Sequence, residues 1–205
     1  MAFNEPDVRV LFPTPLLTFK LEGADALNAG LVKEIAARRA KEKGVERSNR
    51  YGWHSDSDLF ERAEPAHAEL AAELRAMIRS ATERLVPDLP KDLVTRQEGW
   101  VNVSPAQAFN APHDHPGAFW SGCYYIRVPA SDRDPLSGAI EFLDPRGSIG
   151  SNGVIDTPFT RHKFTARPAE GSCFLWPSFV KHWVHPNRLS KDRVTAAFNA
   201  WFARV

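Results

Sequence analysis

Two histidines stand two residues apart between prolines: His113 and His115, in the segment FNAPHDHPGAFWSGCYYIRVP from Phe109 to Pro129. The chain has only seven histidines, so this spacing is a candidate for chemistry. Residues i and i+2 of a strand project from the same face, and two imidazoles on one face form half of a metal site. Taken alone, the pair fits structural histidines equally well.

The third imidazole of such a site has to come from a distant part of the chain. In GSCFLWPSFVKHWVHPN, an apolar strand leads through Pro177 and Ser178 to His182, which enters the next strand. His185 lies on the opposite face of that strand if the strand is regular, so we expect it to be structural. The predicted ligands are therefore His113, His115 and His182.

Three imidazoles leave positions open on a six-coordinate iron, as an oxygenase needs for a chelating cosubstrate and O₂. A 2-oxo acid would fill two of them, and its distal carboxylate suits a guanidinium and an aromatic hydroxyl. Arg193 begins the strand eleven residues beyond His182, and Tyr125 lies on the strand after the histidine pair. We expect both to bind that carboxylate and Asn102 to hydrogen-bond near the iron.

Two helices and a series of short strands have to position these side chains. Apolar residues repeat every fourth position in a helix that Asp25 can cap and that continues to Gly44. A second apolar stripe predicts a helix from about Pro65 to Val86. The densest basic run, Arg38 to Lys43, is expected to form the solvated face of the first helix.

From residue 97 onward the pattern changes to short aromatic or β-branched runs separated by Gly, Pro, Asp and Asn. Helices first and strands afterwards predict a mainly β chain, an antiparallel jelly roll packed against N-terminal helices. We expect one domain over residues 1–205, with a strand and helical annex at 1–95 and a jelly-roll core at 96–205.

The composition limits the kinds of partner that the chain is expected to bind. With 26 Lys and Arg against 25 Asp and Glu, the formal charge is +1, which does not favour nucleic acid. No apolar run could span a bilayer, and the first residues do not resemble a signal peptide. Cys123 and Cys173 are expected to be buried free thiols, as in a cytoplasmic protein. An exposed strand edge leaves a homodimer open.

These segments resemble the Fe(II)/2-oxoglutarate-dependent oxygenase superfamily, in particular a branch with the motifs HxHPxxxxSGxYY, FxDPR and FPSxxxHxVxP followed by RxxxxFN. They read here as His113 to Tyr125, FLDPR at Phe142 to Arg146, WPSFVKHWVHP, and RVTAAFN at Arg193 to Asn199. The entry LFPTPL is also similar to that branch, so the resemblance touches nearly the full chain.

The resemblance implies a double-stranded β-helix that holds Fe(II) and couples oxidative decarboxylation of 2-oxoglutarate to hydroxylation of a substrate C–H bond. His115 stands where the superfamily usually has Asp or Glu, so the expected site carries about one more positive charge. Asp114, Glu141 and Asp144 are alternative carboxylate ligands, although we expect Asp114 to face away. The substrate, a small molecule or a peptide, is not specified by the sequence.

Two other functions compete with this one. The first is a cupin-like metalloprotein with three histidine ligands that uses no 2-oxo acid and therefore has no need of Arg193 and Tyr125. The second is a jelly-roll binding module whose histidines are structural. The chain contains none of the motifs GxSxG, GxxxxGK[ST] and GxGxxG, which disfavours the familiar hydrolase, nucleoside-triphosphate and dinucleotide chemistries.

Overall fold

The computed structural model describes residues 5–86, 88–129, 133–146, 157 and 160–204. Within these residues there are two α-helices, α1 (Asp25–Arg39) and α2 (Pro65–Leu85). The same residues contain eleven strands: β1 (Leu17–Lys20), β2 (Asn49–Arg50), β3 (Trp53–His54), β4 (Leu93–Ser104), β5 (Phe109–His113), β6 (Trp120–Arg127), β7 (Ile140–Leu143), β8 (Lys163–Ala166), β9 (Ser172–Pro177), β10 (His182–Val184) and β11 (Arg193–Arg204).

The strands form two antiparallel sheets, as the jelly-roll prediction requires. The larger sheet has the order β1-β9-β6-β11-β4-β3, and the smaller has the order β2-β5-β10-β7-β8. Their non-consecutive neighbours show that the chain crosses repeatedly between the sheets, as in a jelly roll. β1, β2 and β3 come from the segment assigned to the annex, so residues before 96 also extend both sheets.

The two faces of the larger sheet differ because its strands alternate. One face packs against the helices through a core that includes Leu31, Leu70, Ile78, Val101 and Phe198. The other face looks toward the smaller sheet and carries polar side chains. In register across β4, β11 and β6 lie Asn102, Thr195 and Tyr125. The interior of the jelly roll is therefore polar along a row to which three strands contribute.

Gly122 in the SG motif of β6 lies on the helix-facing side, where it makes room for an aromatic ring. A Cβ at this position would overlap the ring of Phe198 and lie 2.9 Å from the carbonyl oxygen of Phe174. Without a side chain at Gly122, the Phe198 ring can lie against the sheet and contact Phe60 edge-on, with ring centroids 6.4 Å apart.

α1 differs from the prediction at its ends, whereas α2 begins at Pro65 as predicted and ends one residue earlier than predicted. Asp25 is not a cap but the first helical residue, after Ala24, which makes no side-chain cap bond. At this position its negative charge interacts favourably with the positive end of the helix dipole. α1 ends at Arg39, and Gly44, with φ +76°, instead admits Trp53, because a Cβ there would lie 2.6 Å from Trp53 Cδ1.

Arg38 corrects the expectation of a solvated basic face. Its side chain is 2% exposed, pairs with Asp58 at 2.8 Å and Glu42 at 2.7 Å, and lies over the Trp53 ring. These partners belong to the segment that follows α1, and its packing against the helix buries Arg38. Cys123 and Cys173 are free and buried, as predicted.

Neither described helix is long and apolar enough to cross a membrane.

Candidate metal centre

Three imidazoles meet between the two sheets, at the end of the smaller one. Ligand nitrogens of His113, His115 and His182 all lie within 4.8 Å of one another. His113 and His182 are direct partners across β5 and β10, with ring centroids 4.4 Å apart. The His115 ring lies 5.0 Å from His113 and 5.4 Å from His182. The residues predicted to converge are thus brought together.

His115 reaches the cluster by a different route from the one predicted. β5 ends at His113, so His115 lies in the following loop and not on a strand face. Its backbone N–H donates to the Ser178 carbonyl at 3.0 Å, and Ser178 N–H donates to the Phe119 carbonyl at 3.1 Å. Ser178, which the sequence reasoning did not single out, therefore ties this loop to the segment leading to His182.

Backbone acceptors orient two of the imidazoles. His113 Nδ1 lies 2.7 Å from the Ala111 carbonyl oxygen and His182 Nδ1 lies 3.0 Å from that of Val180. An Nδ1–H that donates to a carbonyl leaves Nε2 with its lone pair for a metal. Both rings are thus held in the tautomer that a metal ligand needs.

The third imidazole has a side-chain neighbour. Asn199 Nδ2 lies 3.5 Å from His115 Nδ1, and Ser121 Oγ donates to Asn199 Oδ1 at 2.7 Å. The rotamer that exchanges the amide oxygen and nitrogen would let Nδ1–H donate to Asn199, as in the other two rings. Trp100 packs against His115 from the side, with ring centroids 5.6 Å apart.

Burial keeps these imidazoles neutral. Desolvation, aided by the neighbouring His113, lowers the pKa of His115 to about 4 and that of His182 to about 3. Desolvation also lowers the pKa of His113. Neutral imidazole is the form that coordinates a metal, so the cluster is in a binding state at neutral pH.

A buried guanidinium lies deeper in the same interior. Arg193 begins β11, as predicted, is 2% exposed, and its Cζ lies 5.2 Å from the centre of the Tyr125 ring. Gly138, with φ +66°, makes room for it, since a Cβ there would lie 2.9 Å from Arg193 Cδ. Sequence reasoning missed this glycine, which belongs to a turn before β7.

Polar atoms around Arg193 lack partners among the described residues. They are Arg193 Nε, the Tyr125 hydroxyl and Asn102 Oδ1, all of them buried. The polar neighbour of the hydroxyl is the Cys123 thiol, which is only a weak hydrogen-bonding group. Burial raises the pKa of Tyr125 well above its usual value, so the phenol stays protonated and can donate. Buried donors without partners are rare in folded proteins and call for a ligand.

The carboxylates considered as alternative ligands lie elsewhere. Glu141 accepts hydrogen bonds from Thr165 at 2.9 Å and Trp183 at 3.1 Å, and Asp144 pairs with Arg146 at 2.6 Å. Among the described residues, the cluster of possible ligand atoms contains no carboxylate, Asp114 included.

His185 stays outside the cluster. Its ring packs on Trp183 with centroids 4.0 Å apart, and its Nε2 lies 3.4 Å from Glu141 Oε2. This is the side of β10 turned away from the three imidazoles, as expected for a structural histidine.

The fold and the cluster together define a jelly-roll protein with an all-histidine candidate metal centre. Residues 98–199 match the family model described as "Putative 2OG-Fe(II) oxygenase". This jelly-roll part of the chain belongs to that 2OG-Fe(II) oxygenase family, as the motifs predicted. No curated protein sequence matches the chain.

Solved structures of similar fold cover nearly all of the chain. A prolyl-4-hydroxylase from Pseudomonas putida is 16% identical, with a TM-score of 0.61 over 93% of this chain and 92% of its own. A prolyl hydroxylase from Trichoplax adhaerens, in complex with a hypoxia inducible factor peptide, is 11% identical, with a TM-score of 0.64 over 91% and 83%. The 2-oxoglutarate-dependent epimerase SnoN of nogalamycin biosynthesis is 15% identical, with a TM-score of 0.64 over 92% and 80%. At these identities the likeness establishes a shared fold.

Proposed function

We propose that the protein is a non-haem iron oxygenase that couples oxidative decarboxylation of 2-oxoglutarate to oxidation of a substrate C–H bond. His113, His115 and His182 would hold Fe(II), and Arg193 with Tyr125 would bind the far carboxylate of 2-oxoglutarate, with Asn102 nearby. One observation carries the proposal: three neutral imidazoles meet at one end of an interior in which a buried arginine also lies.

The unpartnered polar atoms support this cosubstrate over a monocarboxylic one. A distal carboxylate would accept from the Arg193 guanidinium, whose Nε lacks a partner among the described residues, and from the Tyr125 hydroxyl, which also lacks one. Charge-assisted hydrogen bonds of this kind are about twice as strong as neutral ones. The match is chemical, because both groups present protons and a dianion presents acceptors.

The chain's own residues then position the reactants. Fe(II), when bound, supplies the site at which O₂ is activated. The Ala111 and Val180 carbonyls fix the His113 and His182 rings, and Arg193 fixes the orientation of the chelating acid. The buried rings of Phe142 and Trp176 lie beside the His182 ring and would limit the access of water to that ligand.

An all-histidine ligand set changes the electrostatics of the site. A neutral imidazole at position 115 in place of a carboxylate leaves a bound ferrous ion more positive by about one charge. This favours anionic ligands and raises the reduction potential of the metal. The oxidation outcome therefore need not be hydroxylation, and the epimerase of similar fold illustrates another outcome.

The cupin-like alternative, a three-histidine metalloprotein without a 2-oxo acid, gives no role to the buried Arg193. For the substrate we propose a small molecule or a peptide, since proteins of this fold include a prolyl hydroxylase solved with a peptide and an epimerase of nogalamycin biosynthesis. We further propose that the protein acts in the cytoplasm. A homodimer through an edge strand stays a prediction.

The test is anaerobic addition of Fe(II) and then 2-oxoglutarate to the metal-free protein. We expect the weak visible charge-transfer band of a chelated 2-oxo acid, and release of succinate once air and a substrate are admitted. Absence of the band, with no succinate across a substrate panel, would refute the proposal. Turnover that needs no 2-oxoglutarate and stays intact in Arg193→Ala would instead favour the cupin-like alternative.

A further inference from the structure

Trp176 on β9 has a buried indole N–H without a partner. The residue is 2% exposed, and among the described residues nothing accepts from its Nε1. Its ring lies edge-on to His182, with centroids 4.9 Å apart, and 5.0 Å from Phe142. Trp176 therefore lies inside the jelly roll and in contact with a proposed metal ligand.

Three other indoles of the chain have acceptors. Trp53 donates to the Glu42 carbonyl at 3.0 Å, Trp120 donates to Thr82 Oγ1 at 3.0 Å, and Trp183 donates to Glu141 Oε1 at 3.1 Å. An indole is a donor only, so its partner must be an acceptor. A buried donor that stays unpaired costs free energy, which makes Trp176 an exception that needs a reason.

The strand register places Trp176 at the metal end of the interior. Trp176 pairs with Ser121, and Ser121 pairs with Asn199, whose amide contacts His115. Phe174, two residues earlier on β9, contacts the Tyr125 ring with centroids 5.4 Å apart. An acid held between the three imidazoles and Arg193 would thus have Trp176 beside its imidazole end and Phe174 nearer to its other end.

We propose that Trp176 Nε1–H donates a hydrogen bond to the metal-end carboxylate of the 2-oxo acid, and so makes Trp176 a cosubstrate-binding residue. The inference rests on the proposed function. It adds a third polar anchor, at the opposite end of the acid from Arg193 and Tyr125. The motif with which this segment was compared has Phe at this position, which supplies the ring but not the donor.

The test replaces Trp176 by Phe, which keeps an aromatic ring against His182 and removes the N–H. Anaerobic titration of the Fe(II) protein with 2-oxoglutarate, followed by the charge-transfer band, should show a dissociation constant raised about tenfold to a hundredfold, as for the loss of a hydrogen bond to a charged group. Fe(II) affinity should stay within about twofold, since no ligand is removed.

Trp183→Phe is the matched control. Trp183 also neighbours His182 in sequence, but its N–H donates to Glu141 on the other side of β10, so the 2-oxoglutarate affinity of this variant should equal that of the wild type. An unchanged dissociation constant in Trp176→Phe would overturn the inference alone. A wild-type protein that does not bind 2-oxoglutarate would instead refute the proposed function.

A second measurement does not depend on the folding of a variant. The chain has six tryptophans, and their indole ¹⁵N–¹H signals can be followed in the Zn(II)-loaded wild type. Addition of 2-oxoglutarate should move one indole signal downfield, beyond any change caused by Zn(II) alone, and Trp176→Phe should lack that signal. No such movement in the wild type would also overturn the inference.

Discussion

At the scale of single residues, the proposed site divides into groups that would bind a metal and groups that would bind an acid. His182 and Arg193 represent the two sets, and both are nearly fully buried. They lie on different strands of different sheets, so either can be replaced without removing the other. The two binding steps should therefore separate in mutants.

His182→Ala should abolish Fe(II) binding, because two imidazoles remain and His182 is the most buried of the three. His185→Ala should largely spare it, because His185 contacts Trp183 and Glu141 and not the cluster. Equilibrium dialysis against Fe(II) under anaerobic conditions measures both. Equal losses in the two variants would show that the distal ligand has been misassigned.

Arg193→Ala should leave Fe(II) affinity within about twofold and weaken 2-oxoglutarate binding at least a hundredfold. The variant removes the charge-assisted partner of the distal carboxylate, and such bonds contribute about 1.5–3 kcal/mol each. Anaerobic titration of the charge-transfer band measures the effect. Arg204→Ala is the control, since Arg204 is exposed at the far end of the same strand. A similar loss in both would contradict the assigned role.

The predictability of the site also differs from residue to residue. The interior positions of Arg193 and Tyr125 could be predicted from the order of the motifs and from strand alternation. Asn199 was missed, although it stands at an even spacing from Arg193 on the same strand and so shares its face. Ser178 and Gly138 could not be found, because their roles depend on contacts with Phe119, His115 and Arg193, which only the folded chain creates.

At the scale of elements, strand register determines the two faces of the larger sheet. It directs polar side chains toward the smaller sheet and apolar side chains toward the helices. The strands and the two helices were predictable because their periodicity is strong. The C-terminal end of α1 was not, since it was expected near Gly44 and the helix ends at Arg39. Both ends of α2 were predicted to within one residue, although the acceptor at its N-terminus comes from another helix: Glu34 accepts from Ala66 N–H at 2.9 Å and His67 N–H at 3.0 Å. No sequence pattern within α2 encodes this cap.

Gly122→Ala should destabilise the fold by about 1–3 kcal/mol or more, because the added methyl overlaps the Phe198 ring. Denaturant unfolding measures the change. The double variant with Phe198→Leu tests the cause, since a smaller side chain makes room for the methyl and should recover part of the loss. Strictly additive effects of the two changes would contradict the steric explanation.

At the scale of the whole molecule, several buried polar groups between the sheets have no partner within the described chain. Four buried polar atoms around the centre lack partners among the described residues, on Asn102, Tyr125, Trp176 and Arg193. A ligand that binds the folded chain and not the unfolded chain stabilises it by mass action. Metal and cosubstrate should thus contribute to folding stability as well as to catalysis.

Mn(II) with 2-oxoglutarate, each at about 100 times its dissociation constant, should raise the free energy of unfolding by about 2.7 kcal/mol per ligand. For a chain of this length, each kcal/mol raises Tm by about 2–4 °C. Thermal unfolding followed by circular dichroism measures the shift. In His182→Ala, neither ligand should raise Tm. A rise in Tm as large as that of the wild type would contradict binding at the three imidazoles.

The pairing of β11 has a consequence for selectivity. All twelve of its residues pair with β4, and residues 194–200 also pair with β6, so its backbone is held from both sides. Arg193 and Asn199 therefore stand at opposite ends of a segment whose length is fixed by the extended backbone. In the proposed complex, this fixed strand would set the distance between the guanidinium that binds one carboxylate of the 2-oxo acid and the histidine that binds the metal. Dicarboxylic 2-oxo acids one methylene shorter or longer than 2-oxoglutarate should therefore reach either the metal or Arg193, but not both at once.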